Sequence, residues 1–480
     1  VRTRDALAHQ STMVYDAVVS GLIETAQTDA NVNTTRQRAD GAGRVRQMID
    51  ALGLTATAGY DPNGNRVTWR DANGVGQDCI IDLRNRDTQC TDTAGAVTKR
   101  SYDLNSNVAS TTDALLAVSF MTYDARDRKL TTKDRINATT TFGYDAVSNL
   151  VWILDAEGGQ TDYQYNNRNL LSDEQFPTGQ QGRTRRVYVY DGGRRLTTRT
   201  VSTLPSSGLN EVTTYAYDNA NRLKTRAYQD GKNDGFGYDL ASRLTSAFSG
   251  RYATSVTRAY DAAGRLTTEQ QRIPAGTINQ VGYAYDNGNR VTSVTYPSNR
   301  SATSAYTVRN ELRDVWFDGV RSASRSFDAG GRLLSTTYGN GRVEGRGYIT
   351  GDNLVGSIAI PGVTGFTYTY DANKRKTREG DSVVAGGAQA FGYDPESRLA
   401  SWGQGATPTA PNLGGGAPTG VATQSWNLAP VGDWLSTTIN GVARSATFSR
   451  AHEQLTFGAT PLAYDGKGNL TTDQSGQVLA

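Results

Sequence analysis

Residues 260–266 read Tyr260-Asp261-Ala-Ala-Gly264-Arg265-Leu266, "YDAAGRL". Twenty-two residues earlier the chain reads "YDLASRL" (238–244), and further on "FDAGGRL" (327–333). Asp opens a tight turn well, because its carboxylate accepts a backbone N–H two residues on. The third residue after it is Gly, Asn, Ser or Asp in most copies, as at Gly264, Gly331, Asn221, Asn289, Ser242, Ser397 and Asp352. These types tolerate positive φ, which a type I turn closing through a left-handed residue requires. Arg194 and Lys374 stand at the same place and break the preference, so strained or differently built turns are expected there. After each turn come about six alternating residues, as in Arg66-Val67-Thr68-Trp69-Arg70. Alternation over short Thr-, Tyr- and Val-rich runs indicates strand.

The turn phrase is periodic. Asp29, Asp40, Asp50, Asp61, Asp71, Asp82, Asp92, Asp103, Asp113, Asp124, Asp134, Asp145 and Asp155 follow at steps alternating between 11 and 10. Each period of 21 holds two half-units. One has the form Y-D-x-x-G/N/S-R-L; the other has the form T-D-x-x-G-x-x-T, as in "TDTAGAVT" (91–98). A half-unit of turn plus strand, repeated along the chain, predicts an all-β fold: one continuous antiparallel hairpin ribbon of about 40 strands, coiled by its own twist into a spiral wall. Tyr before every second turn predicts a ladder of rings on one face, about 9.6 Å apart, stiffening the wall by aromatic stacking. The residues expected to carry turn and ladder include Tyr102, Asp103, Tyr123, Asp124, Tyr144, Asp145, Tyr217, Asp218, Tyr238, Asp239, Tyr260, Asp261, Gly264, Tyr285, Asp286 and Gly331.

Composition fits this reading. Of 480 residues only 37% are apolar, 52 are Gly, and mean hydropathy is −0.55. Such a chain is too lean for a thick core and too rich in Tyr, Val, Leu and Thr to be disordered. Net charge is +3 from 50 basic and 47 acidic residues, which gives no reason to expect nucleic acid. No apolar run approaches the length of a membrane-spanning helix, and no membrane insertion is expected. The chain opens and closes inside the repeat pattern, with no basic–apolar–small leader, so a longer parent is expected.

Insertions at "FPTGQQGR" (176–183), "TLPSSGLN" (203–210) and "IPAGT" (273–277) all fall in the second half-unit turn, and are expected as loops on one edge. The division expected is repeats over 1–402, a flexible Gly/Pro/Thr/Ala-rich loop over 403–420, and degenerate repeats continuing the same ribbon over 421–480.

Chemistry-bearing patterns are scarce. His9 and His452 are the two histidines and lie at opposite ends of the chain. No H-E-x-x-H, G-x-S-x-G or Walker A pattern occurs, and each acidic turn offers one Asp where calcium wants six to eight oxygens. No catalytic, cofactor or metal site is expected. Cys79 and Cys90 flank the turn around residues 82–87 symmetrically. They read either as two buried thiols or as a cross-strand disulfide, which would imply an oxidising compartment.

Recurrence of Y-D-x-x-G-R-L near every 21 residues over nearly the entire chain resembles the Rhs/YD-repeat family. That family includes bacterial polymorphic toxins, the B and C cocoon of Tc toxins, and the YD shell of teneurins. The resemblance implies a hollow β-spiral shell, secreted or at the cell surface, which in toxin members encloses a C-terminal effector. Partners implied are an effector domain of the parent chain or neighbouring shell repeats, with a cell-surface glycan as the alternative. Self-cleaving members end in a plug with D-P-x-G motifs. Here that motif occurs once, at Asp61-Pro62-Asn63-Gly64 in an ordinary repeat. The resemblance therefore carries over the wall and not self-processing.

Overall fold

The computed structural model describes residues 2–204, 210–274, 276, 278–405, 419–465, 468–473, 475 and 477–478. Among them are 44 strands and no helix, and 42 of the strands belong to one sheet. Strands consecutive in sequence pair antiparallel. Thus Val45–Ile49 pairs with Thr55–Tyr60, which pairs in turn with Arg66–Arg70.

Contacts group the chain into two compact units, each assembled from stretches far apart in sequence. The first holds Val1–Lys99, Gly237–Lys374 and Gly380–Val383; the second holds Arg100–Phe236, Arg375–Glu379 and Val384–Ala480.

The two edges of the ribbon are built differently. At Y-D corners the register slips by one residue, as between Gly143↔Trp152 and Tyr144↔Leu150. The T-D corner that follows has no slip: Trp152↔Asp162, Ile153↔Thr161 and Leu154↔Gln160 run in step. A bulge adds local twist. On the T-D edge such shifts are confined to altered hairpins, as between Val315↔Ala323 and Trp316↔Arg321.

Interior packing is thin, as the composition requires. Among the described residues the buried apolar ones are Ile49, Ala323, Ala388, Ala390, Ala429, Ala446 and Leu462, mostly alanine. Cross-strand hydroxyl pairs supplement them, for example Thr122 with Thr131 at 2.6 Å and Thr447 with Thr456 at 2.8 Å.

The insertion at 176–183 departs from the loop expected. It lengthens the strands themselves, to Leu171–Gly179 and Gly182–Tyr190, joined by a two-residue turn. Backbone pairing of Thr178 with Arg183 and Gly179 with Gly182 carries the ladder to its tip, and the Arg183 guanidinium donates to Phe176 O (2.8 Å) where the register shifts. In the 403–420 insertion, residues 406–418 lie outside the described residues, as do 205–209, 275 and 277 of the other two. The strands flanking 403–420 pair with each other, Ser401↔Ser425 through Gln404↔Ala422, so the insertion connects two arms of one hairpin.

Candidate functional site

The Asp corners share one construction. At Asp145 the N–H donates to Asn149 O (3.0 Å), and Ser148 N–H donates to Asp145 O (3.2 Å). The carboxylate Oδ1 accepts the N–H groups of Val147 (3.0 Å) and Asn149 (2.8 Å). Ser148 is left-handed, with φ of 74°. Asp29, Asp40, Asp50, Asp61, Asp71, Asp82, Asp92, Asp103, Asp113, Asp124, Asp134, Asp145 and Asp155 all close their turns through the same backbone bond to the fourth residue on. Gly264 and Gly331 sit at the left-handed position with φ of 84° and 85°. Asp352 does not: Gly351 (φ 74°) is left-handed there, because that turn closes from Ile349 to Leu354 and holds one residue more. Arg194 and Lys374 have φ of 66° in turns of the ordinary construction, so those corners are strained at one residue but not differently built.

Tyr before the corner is held at its far end. The Tyr144 hydroxyl donates to Lys129 O at 3.0 Å, Tyr123 to Val108 O, Tyr217 to Leu196 O, Tyr260 to Leu244 O and Tyr285 to Leu266 O. Burial pushes the phenols of Tyr123, Tyr217 and Tyr285 up, so each keeps its donor proton.

The expected stacking of ring on ring gives way to a different ladder. A guanidinium lies over the rings of Tyr144, Tyr217, Tyr260 and Tyr285. Arg128 Cζ lies 4.8 Å from the Tyr144 centroid, Arg195 5.0 Å from Tyr217, Arg243 4.7 Å from Tyr260 and Arg265 4.7 Å from Tyr285. These arginines stand four residues after the Asp of one Y-D corner, and each reaches the next corner on the same edge. Arg128 Nε donates to Asp124 Oδ2 (2.7 Å), while Nη1 donates to Asp145 O (2.9 Å) and Ser148 Oγ (3.3 Å). Arg265 spans from Asp261 to Asp286 O and Asn289 in the same way. Where Asn replaces Arg the strut shortens: Asn107 joins Asp103 Oδ2 to Asp127 Oδ1. The sequence shows these arginines plainly after the turns, but nothing in it says that they bridge.

These donors hold the corner carboxylates below the usual range. For Asp124 the Arg128 side chain is the main cause, outweighing burial. For Asp40 burial pushes up, yet the Arg44 N–H and the Arg46 and Arg44 guanidiniums bring it down to about 2.

At the T-D corners of Asp50, Asp71 and Asp92 the fourth residue is Leu54, Val75 or Ala96 and has no side-chain donor for a strut, while at Asp29 it is Asn33, which donates to Asp29 Oδ2 (3.2 Å). Their spare groups face Y-D corners found far along the chain. In the first unit Asn31 Oδ1 accepts Gly288 N–H (3.1 Å), and Asp50 Oδ2 pairs with Arg309 Nη1 (3.4 Å). Asn73 Oδ1 accepts Gly330 N–H (2.9 Å), and Thr93 Oγ1 donates to Gly351 O (2.7 Å). The separations are 257, 259, 257 and 258 residues, so both rows advance by the same 21-residue step and stay in register. Lys374, one of the two rule-breaking turn residues, pairs with Asp92 (2.7 Å) and also with Asp352. Gly288 and Gly330 leave room for this contact: a Cβ at either would lie 2.1 Å from the asparagine amide opposite, which would have to move away.

The second unit has its own seam. Glu396 Oε1 accepts Arg135 N–H at 2.7 Å. His452 places Nδ1 2.9 Å from Asp433 and Nε2 3.2 Å from Asp155. Burial lowers the affinity of that imidazole for its proton, but the two carboxylates outweigh it and its pKa is raised. Gln180, at the tip of the lengthened hairpin, donates to Leu462 O and accepts Tyr464 N–H. The sequence alone names neither carboxylate as a partner of His452.

Cys79 and Cys90 are directly opposite on paired strands, with Cα atoms 4.1 Å apart, and are joined as a disulfide. Their hairpin ends at Asp92 and Thr93, which both contribute to the first unit's seam.

Residues 203–402 match the family model of the teneurin YD-shell. In fold the chain is similar to the Tc toxin complex TcdB2-TccC3 (TM-score 0.63, 13% identity, 98% of this chain and 29% of that one). It is also similar to the Tc holotoxin pore of Photorhabdus luminescens (TM-score 0.57, 13% identity, 96% and 30%). The chain thus spans under a third of the length of those toxin chains, and the likeness is one of fold. No curated protein matches it in sequence.

Proposed function

We propose, from this likeness to YD-repeat shells, that the chain is a non-catalytic wall segment that helps enclose a C-terminal effector of its parent polypeptide. The observation that carries the reading is the in-register seam. T-D corners meet Y-D corners about 257 residues later, with Gly288 and Gly330 permitting close approach. Struts along an edge and bonds between rows close a thin sheet against leakage without a second layer. Secretion or surface delivery suits the Cys79–Cys90 bridge, since such bonds persist in oxidising compartments.

The test is limited proteolysis of the full parent chain. Its C-terminal segment should survive protease while the wall is intact, and become cleavable when Asp50→Ala and Asp92→Ala open the seam. Equal digestion in both would contradict enclosure. A glycan-binding role would have to use exposed aromatics such as Trp434, which is 53% exposed. Glycan-array binding that Trp434→Ala abolishes would favour that reading instead.

A further inference from the structure

In the first unit, the edge that carries Asp corners over residues 29–92 changes character later in the chain. Its tips, among the described residues at 250–253, 273–274, 276, 296–300, 318–319, 339–342 and 361–363, join successive strand pairs from Leu244–Ser249 to Thr364–Tyr370. Arg251, Arg272, Arg300, Arg321 and Arg342 all lie in or beside these tips, and all are exposed. Asp318 is the exposed acid among them and pairs with Arg300, while Glu344 beside the tip at 339–342 is half-buried and pairs with Arg346. Five arginines against one aspartate give this rim a net charge of +4, larger than the +3 of the whole chain. Among the described residues, Arg272 and Arg342 have no carboxylate partner, and Arg321 acts on the Asp314 carboxylate through its charge without a salt bridge. Apolar side chains stand between the cations: Val320 is 70% exposed, Tyr252 67% and Tyr296 41%.

Tips on one edge recur every two strands, about 10 Å, so the rim is a line of roughly 50 Å, one hairpin wide. We propose that it is a docking edge for an acidic protein partner, whose carboxylates stand on turns at a similar interval. Three observations favour this partner. Arginine, used here without a single lysine, presents a planar fork that pairs with carboxylates bidentately. Tyrosine and arginine side by side are the residues that dominate protein interfaces. Finally, the seam of this same unit already joins cations to turn aspartates, at Asp50 with Arg309 and Asp92 with Lys374. A line is also the shape of another sheet's edge, whereas a bilayer would cover a broad face.

The experiment compares the full chain with an Arg272→Gln, Arg321→Gln, Arg342→Gln variant. An Arg66→Gln, Lys99→Gln, Lys224→Gln control removes equal charge from exposed sites elsewhere. Probes are fluorescent poly-L-aspartate and phosphatidylserine/phosphatidylcholine vesicles, both at about 0.1 M salt, where non-specific attraction is screened beyond about 10 Å. The rim variant should bind poly-L-aspartate at least about tenfold more weakly, with the control within about twofold of the parent. Equal losses in both variants, no loss in the rim variant, or no binding by the parent would overturn the proposal. Binding to vesicles without binding to poly-L-aspartate would overturn it in favour of a lipid surface.

Discussion

Arg128 lies over the ring of Tyr144, its Cζ 4.8 Å from the ring centroid, while the same guanidinium holds the Asp124 carboxylate and the Asp145 carbonyl. One side chain thus ties two corners and the aromatic ring between them. It explains why Arg follows Asp at a fixed distance of four. From there its fork closes its own turn and still reaches the next.

Arg128→Ala should therefore cost about 1–3 kcal/mol, the range for losing charged hydrogen bonds together with a cation–ring contact. Hydrogen exchange should quicken at residues 124–149 and leave distant corners unchanged. Arg128→Lys should recover only part of the loss, since an ammonium cannot fork. Full recovery by lysine would show that charge alone suffices.

Tyr144→Phe removes a single bond and leaves Lys129 O without its donor. A loss of about 1 kcal/mol is expected, read from denaturant midpoints at constant slope. Tyr144→Leu should cost more, because it also takes the ring from beneath Arg128.

Acid should unfold the ribbon. The corner carboxylates of Asp40, Asp61, Asp82, Asp103, Asp124 and Asp145 are all held below their usual range. Their contribution is therefore present above the ordinary carboxylate pKa and fades as pH falls through the depressed values, down to about 2 for Asp40. Thermal midpoints at constant ionic strength should fall steeply below about pH 4. Asp40→Asn should blunt that fall; an unchanged profile in this variant would contradict the assignment.

His452 has the opposite sign. Its raised pKa makes its clasp on Asp433 and Asp155 fully present below the ordinary histidine value, and lost as pH rises through the folded value. Protection at residues 449–453, measured as exchange relative to the intrinsic rate at each pH, should fall from pH 6 to 9, and His452→Gln should abolish that dependence.

Breaking the Cys79–Cys90 bridge with Cys79→Ser should destabilise the oxidised protein by about 2–3 kcal/mol, the chain-entropy value for so short a loop. Under reductant the variant and parent should melt together.

The corners were legible because their chemistry is local. An Asp that accepts N–H groups two and four residues on, with Gly, Asn or Ser in the left-handed place, leaves a mark readable within seven letters. Insertion 176–183 was misread because Pro and Gly suggest a loop, although here they lie within lengthened strands. The role of Arg128 was visible as a position but not as a contact, since its partners stand 17 and 20 residues away. Asn73 and Gly330 carry no local signal at all. Their meeting depends on how far the ribbon curves in 257 residues, a quantity set by many small twists and bulges. For the same reason Lys374 looked like a defect, when its side chain serves Asp92 and Asp352.

The seam between Asn73 and Gly330 tests the account most directly. In a Cys79→Ser, Cys90→Ser background, Asn73→Cys with Gly330→Cys should cross-link within the chain under mild oxidation and migrate faster on a non-reducing gel. Asn73→Cys with Gly351→Cys, displaced by one repeat, should not. Cross-linking that fails in the first pair, or appears equally in both, would contradict an in-register wall.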